Sequence, residues 1–290
     1  MSFILETRRD WQYSYRSLGS GSRKVLFFHG FPGSSLQVEL FRPFVQAEDL
    51  HVVCVDRPGY LKTQSKGGDH FEETSQVMEL VLEGLGWQEF ELVSVSGGTP
   101  YAVTFAHRWA SRVRRLTVIC GMGPVGDKDF PARLPGASLW ALRILPQLPK
   151  SWVHWFAQRV AQGSPGRRPR LFEALMPLSG PDRISLSMES LQGSLREGLL
   201  EAVEQKGLGP QKDARAFLVP WRLSGGTSGE GLPGEKFSFW HGQEDEVIPS
   251  TIAMAAHEKV VGSRLVLVPG EGHYSLPIRQ MGRILRETRV

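Results

Sequence analysis

The stretch LVSVSGG, residues 92–98, decides how this chain reads. An apolar, β-rich run stops at Ser96, and two glycines follow. Next comes TPYAVTFAHRWASRV (99–113), which has helical spacing. Its Pro100 sits near the start, where a missing amide is harmless. Strand, sharp turn and helix together put Ser96 at the apex of the turn. Strand and helix nearly touch there, so the residues two positions either side must be small. Ser94 and Gly98 occupy those positions. The pattern small-x-Ser-x-Gly is that of a nucleophile elbow, with Ser94 in place of the more usual first glycine. Such a turn lifts the Ser96 hydroxyl out of the sheet, toward the positive end of the following helix. Taken alone, a Ser-Gly-Gly sequence is also an ordinary turn, so the rest of the chain has to decide.

Working outward, KVLFFHG (24–30), LHVVCVD (50–56), FELVSVS (90–96) and RRLTVIC (114–120) are β-rich runs, the first two ended by Gly or Asp. They show little polar alternation, which predicts strands buried on both faces, as in a parallel sheet. FEETSQVMELVLEGLG (71–86) starts with acids and ends in glycine, a helix signature. This β-α-β-α order predicts an α/β fold with right-handed crossovers. After Met122 the β pattern stops. Trp140, Leu142 and Leu145, then Trp152, Trp155 and Phe156, then Leu191, Leu195 and Leu199 read as helix faces. GSPGRRPR (163–170) reads as a loop, and SGGTSGEGLPG (224–234) as a connector back to the core. The β pattern returns in KFSFWHG (236–242) and RLVLVPG (264–270), with STIAMAAHEKV (250–260) as the helix between. The expected organisation is a core made of 1–122 and 214–290, with a helical insertion at 123–213.

Composition narrows the class. Of 290 residues, 41% are apolar and 22% charged, enough to build a core without disulfides or metal. The net charge of +4 comes from 34 basic and 30 acidic residues. Its local runs, Arg112, Arg114 and Arg115 and then Arg167, Arg168 and Arg170, read as solvated surface, and no nucleic-acid-binding motif accompanies them. Cys54 and Cys120 lie in apolar runs and are expected to be buried free thiols. Two cysteines make neither a disulfide framework nor a four-ligand zinc site, and there is no HExxH pattern, so no metal site is expected. Glu6 falls where a secretory leader needs an apolar stretch, and no window is long and apolar enough to span a membrane. The expected compartment is cytoplasmic.

A serine hydroxyl becomes nucleophilic only with a base, and the base needs an orienting acid. WHGQEDEVIP (240–249) supplies Asp245 just past a strand end, and VPGEGHYSLP (268–277) supplies His273 in a glycine-bounded loop past the last strand. Ser96, Asp245 and His273 all follow strands, where catalytic loops gather in open α/β sheets. FFHGFPGSS (27–35) follows the first strong strand. In this arrangement the backbone amides of Phe31 and Gly97 are the expected donors to an oxyanion.

HGFPGS, DRPGY (56–60), SVSGGTPYA (94–102), GQEDEVIP and GEGHYSLP together resemble the α/β-hydrolase superfamily, specifically its cap-bearing serine hydrolases. The motifs span both ends of the chain, and the order Ser96, Asp245, His273 is that superfamily's triad order. The resemblance implies a three-layer α/β/α architecture. It further implies a mostly parallel eight-stranded sheet and a helical cap inserted after the sixth strand. It also implies Ser96 as nucleophile, His273 as base and Asp245 as acid, with no cofactor. DRPGY departs from the superfamily pattern, since LKTQSK follows it rather than an early glycine and serine. The function implied is cleavage of an ester or related acyl bond of a small, partly apolar substrate through an acyl-enzyme. Haloalkane dehalogenation is disfavoured, because those relatives carry an aspartate where Ser96 stands.

Several alternatives stay open in the sequence. Glu244, Glu246, Asp127 and Asp129 compete with Asp245 for the role of acid. Trp140, Trp152, Trp155 and Phe156 either line an apolar acyl pocket or pack the cap, and Tyr101 and Met122 fall near the pocket by position. The second functional class is a ligand receptor or binding protein that keeps the fold but turns over slowly. His29 reads as a shaper of the oxyanion loop, and the other histidines as surface, helix or strand-end residues.

Overall fold

The computed structural model describes residues 1–162, 178–187, 189–223 and 231–289. Eight strands, β1 (Ser2–Arg8), β2 (Trp11–Gly19), β3 (Arg23–Phe28), β4 (Leu50–Val55), β5 (Phe90–Val95), β6 (Val113–Ile119), β7 (Phe237–Gly242) and β8 (Arg264–Val268), form one sheet. Their order is β1-β2-β4-β3-β5-β6-β7-β8. Strand β2 is antiparallel to both its neighbours, and every pair from β4 to β8 is parallel. The apolar runs picked out in the sequence are β3 to β8. The hairpin of β1 and β2 adds the remaining two strands.

The helices among the described residues are α1 (His70–Leu85), α2 (Thr99–Arg108), α3 (Gly136–Ile144), α4 (Lys150–Gln162), α5 (Gly180–Leu186), α6 (Glu189–Ala202), α7 (Leu208–Phe217), α8 (Ser250–Lys259) and α9 (Ser275–Glu287). Helix α1 has the ends its sequence predicts. Asp69 accepts from the Glu72 amide at the start, and Gly86 closes the last turn at φ +65°. Helices α1, α2 and α8 cover one face of the sheet; α9 and a 3-10 stretch at Ser35–Phe44 cover the other.

Alternate residues of each central strand feed opposite cores, as a two-residue period requires. Val25 and Phe27 pack with Val52, Cys54, Trp240 and the α9 residues Leu276 and Met281. Leu26 and Phe28 pack with Val53, Val55, Val77 of α1 and Phe105 of α2. Both faces are therefore apolar, which is why these strands lack polar alternation. Cys54 and Cys120 are buried and free.

Helices α3 to α7 all lie between β6 and β7. Helix α7 runs straight through residue 213, where the sequence places the end of the insertion, and continues to Phe217. The expected loop at 163–170 with Arg167, Arg168 and Arg170, the side chain of Leu191, and residues 224–230 of the expected connector lie outside the described residues. Among the described residues, no helix is long and apolar enough to cross a membrane.

Candidate active site

Strand β5 ends at Val95 and α2 begins at Thr99; Ser96, Gly97 and Gly98 form a single 3-10 turn between them. Ser96 has φ +50°, a left-handed value uncommon outside glycine. The neighbours explain why the turn is so tight. A Cβ on Gly98 would stand 2.4 Å from the Phe28 carbonyl oxygen and 2.7 Å from that of His29. A Cβ on Gly97 would stand 2.6 Å from Phe31 Cβ. Ser94 tolerates its buried place because its hydroxyl lies 3.2 Å from that of Thr99. The Met122 amide donates to the Ser96 carbonyl at 3.1 Å, tying the elbow to the chain leaving β6.

His273 follows β8 and Asp245 follows β7, so both reach the elbow from the carboxyl ends of their strands. His273 Nδ1 lies 2.8 Å from Asp245 Oδ2, and Nε2 lies 3.0 Å from Ser96 Oγ. An ionised carboxylate only accepts, so Nδ1 carries the proton and Nε2 is left to accept from the Ser96 hydroxyl. Asp245 is well supplied with donors. The amides of Val247 and Ile248 donate to Oδ1 at 2.9 and 2.8 Å, and His241 Nε2 stands 3.2 Å from Oδ2 while donating to the Ile248 carbonyl at 2.7 Å. Burial works against the charged form of Asp245. The facing His273 and the bonds from His241 and His273 overcome it and hold the carboxyl well below the usual range. Burial likewise works against the His273 imidazolium. Asp245, by charge and hydrogen bond, and then Asp182, by charge, prevail and raise the imidazole above its ordinary 6.5.

Asp182, on α5, is a residue the sequence reading did not single out. It is fully buried, and its Oδ2 accepts the His273 amide at 3.1 Å while Oδ1 accepts those of Tyr274 and Ser275 at 2.8 Å each. A single carboxylate from the inserted helices thus holds three successive amides where the His273 loop enters α9.

The loop after β3 is held just as firmly. The Gly30 amide donates to Gln37 Oε1 at 2.7 Å, and His29 Nδ1 donates to the Gly30 carbonyl at 2.9 Å. Arg57 Nη1 donates to the His29 carbonyl at 2.7 Å, and Nη2 to that of Gly30 at 3.3 Å. With its carbonyls engaged below, the loop keeps Phe31 against Gly97. Among the described residues, no group accepts from the Phe31 amide. Asp213 of α7 then bonds Arg57 at 2.5 Å and collects the hydroxyls of Tyr60 and Tyr101 at 2.6 and 2.7 Å and His70 Nε2 at 2.8 Å. Asp56, next to Arg57 in sequence, is buried and accepts the Ser35 amide at 2.7 Å and the hydroxyl of Ser14 at 2.8 Å. Burial pushes Asp56 up to about 6.

Residues 24–279 match a family model described as the alpha/beta hydrolase fold. The chain belongs to that family. It is 32% identical over 123 residues to the monoacylglycerol lipase abhd6-A of Xenopus laevis, covering 39% of this chain and 35% of that one. It is 32% identical over 133 residues to the 2-hydroxy-6-oxononadienedioate/2-hydroxy-6-oxononatrienedioate hydrolase of Paraburkholderia phymatum, covering 44% of this chain and 46% of that one. The matches span less than half the length of either relative. Among solved structures, the bromoperoxidase from Bacillus anthracis superposes with a TM-score of 0.71 at 17% identity, covering 99% of both chains.

The hydrolase-fold site leaves some expected residues elsewhere. Tyr101 does not line a pocket: it is buried in the Asp213 cluster, its hydroxyl spent on the carboxylate. Met122 is buried beside the elbow through its amide. Among the described residues, Trp140, Trp152 and Trp155 neither pack a core nor enclose an apolar pocket; they are exposed by 57%, 65% and 58%. Phe156 is half-buried. Of the alternative acids, Asp245 alone bonds His273 among the described residues. His70 and His241, read as peripheral, are buried partners of Asp213 and Asp245. The aromatic beside the elbow is instead Phe217 of α7, whose ring packs edge-on to Phe31 at 5.2 Å.

Proposed function

We propose that this protein is a serine hydrolase that cleaves carboxylic esters through an acyl-enzyme. The observation that carries the reading is the unbroken relay from Asp245 Oδ2 through both nitrogens of His273 to Ser96 Oγ, at 2.8 and 3.0 Å. His273 takes the Ser96 proton as Oγ attacks the carbonyl, then gives it to the departing alcohol. Asp245 stays ionised and stabilises the imidazolium. The amides of Phe31 and Gly97 receive the oxyanion. Water deprotonated by His273 then frees the acid. Helices α3 to α7 act as the cap, and the half-buried ring of Phe31, backed edge-on by the buried Phe217, gives the acyl group an apolar wall. A relative named as a monoacylglycerol lipase favours an ester with an acyl chain over other bond types.

Treatment with a fluorophosphonate tests this. One adduct on the parent chain and none on Ser96→Ala, read by intact mass, is the expected result. A folded parent that takes up no adduct and hydrolyses no ester of any chain length would overturn it, and the slow-turnover binding protein would replace it.

A further inference from the structure

Helices α3 and α4 present an outer surface that the catalytic reading does not use. From residue 130 to residue 162 the chain contains no aspartate or glutamate, while Arg133, Arg143, Lys150 and Arg159 are all present and exposed. The three exposed tryptophans fall in the same segment.

Helical spacing puts these residues on common faces. Trp140 and Arg143 are three apart on α3; Trp152, Trp155 and Arg159 are spaced by three and four on α4. Arg159 lies over the Trp155 ring, 5.4 Å from its centroid. The opposite faces, with Leu142 on α3 and Val153 and Ala157 on α4, are buried in the protein. Among the described residues, none of Arg143, Lys150 and Arg159 joins an ion pair. Arg108, by contrast, pairs with Glu72 and Glu79, and Arg114 with Glu89.

We propose that the outer face of α3 and α4 docks on an anionic phospholipid surface. An indole is an apolar ring with one polar edge, so it settles at headgroup depth. Arg and Lys beside it, without an ion pair among the described residues, meet lipid phosphates, and the segment 130–162 itself carries no carboxylate to oppose them. An acidic protein is the other occupant such a face could take, and the experiment below separates the two. Docking stands apart from the catalytic reading, because none of these side chains touches Ser96, His273 or Asp245.

Flotation of the full chain with vesicles tests the proposal. It is expected to float with mixed phosphatidylglycerol–phosphatidylcholine vesicles at low salt, to stay behind with phosphatidylcholine alone, and to be released as salt rises. Lys150→Gln and Arg159→Gln should each lower partitioning about fivefold. Trp152→Ser with Trp155→Ser should lower it about tenfold or more. These side chains are exposed, so an unchanged thermal midpoint separates lost docking from lost folding. Ser96→Ala should float like the parent, whatever the fate of the hydrolase reading. Failure to float with the anionic vesicles overturns the proposal. So does flotation indifferent to the tryptophans, and so does equal, tryptophan-independent capture by soluble polyglutamate, which would make the face a site for acidic protein.

Discussion

Asp213 and Arg57 meet with neither side chain exposed to solvent, 2.5 Å apart, across 156 residues of sequence. Coulombic attraction from Arg57 and bonds from His70 and Arg57 overcome the burial that would favour the neutral acid, so Asp213 stays ionised. Removing one partner strands a buried charge. Asp213→Asn should cost about 3–5 kcal/mol in urea unfolding. Arg57→Met with Asp213→Leu should cost less than the sum of the two single changes.

The same carboxylate sets a pH dependence. Its folded pKa lies below the ordinary 3.8, so its contribution to stability is present above that value and is lost as the pH falls from 3.8 toward the folded one. Unfolding midpoints of the parent should therefore drop in strong acid by more than those of Asp213→Asn, which has no proton to gain.

Asp245→Asn should lower kcat about ten-thousand-fold. The amide retains an acceptor for the Val247 and Ile248 amides, so the fold survives. What it loses is the charge that stabilises the imidazolium and fixes the tautomer with Nε2 free. Steady-state kinetics beside a thermal melt separate the two effects.

Asp182→Asn should shift the acid limb of kcat/KM. On the proposed serine-hydrolase reading the base His273 must be neutral, so activity rises with pH through the His273 pKa, which lies above 6.5 with help from the Asp182 charge. Without that charge the limb moves to lower pH. An unmoved limb with a lowered kcat would mean that Asp182 acts only by holding the amides.

Gly98→Ala tests the elbow. A Cβ there meets backbone oxygens of Phe28 and His29, which no side-chain rotation relieves. A loss of about 1–3 kcal/mol is expected in the same urea assay.

The parallel strands were legible because burial on both faces leaves unbroken apolar runs, as in Phe27-Phe28 and Val52-Val53. The β1–β2 hairpin was not. Phe3 and Leu5 of β1 are nearly half exposed, and the turn uses Arg9 and Asp10 at φ +46° and +63° rather than a glycine. Ser96, Asp245 and His273 each stood at the end of a recognisable strand in a telling order. Asp182 and Asp213 had no such marker. Their partners lie 91 and 156 residues away, and a lone acid in a helical stretch looks the same whether it faces water or a buried guanidinium. The exposed tryptophans misled for a related reason: apolar size suggests burial, but only the fold says which side of a helix faces in.

The two buried aspartates also bear on how chains of this fold could be recombined. A chimaera that exchanges the stretch between Cys120 and Phe237 for a foreign one replaces more than a set of covering helices. Unless the donor brings carboxylates to the places of Asp182 and Asp213, the recipient's histidine loop loses the acceptor for three amides and its arginine is left a naked cation. The transplanted helices would then arrive in a damaged host, and restoring those two acids should be the first repair attempted.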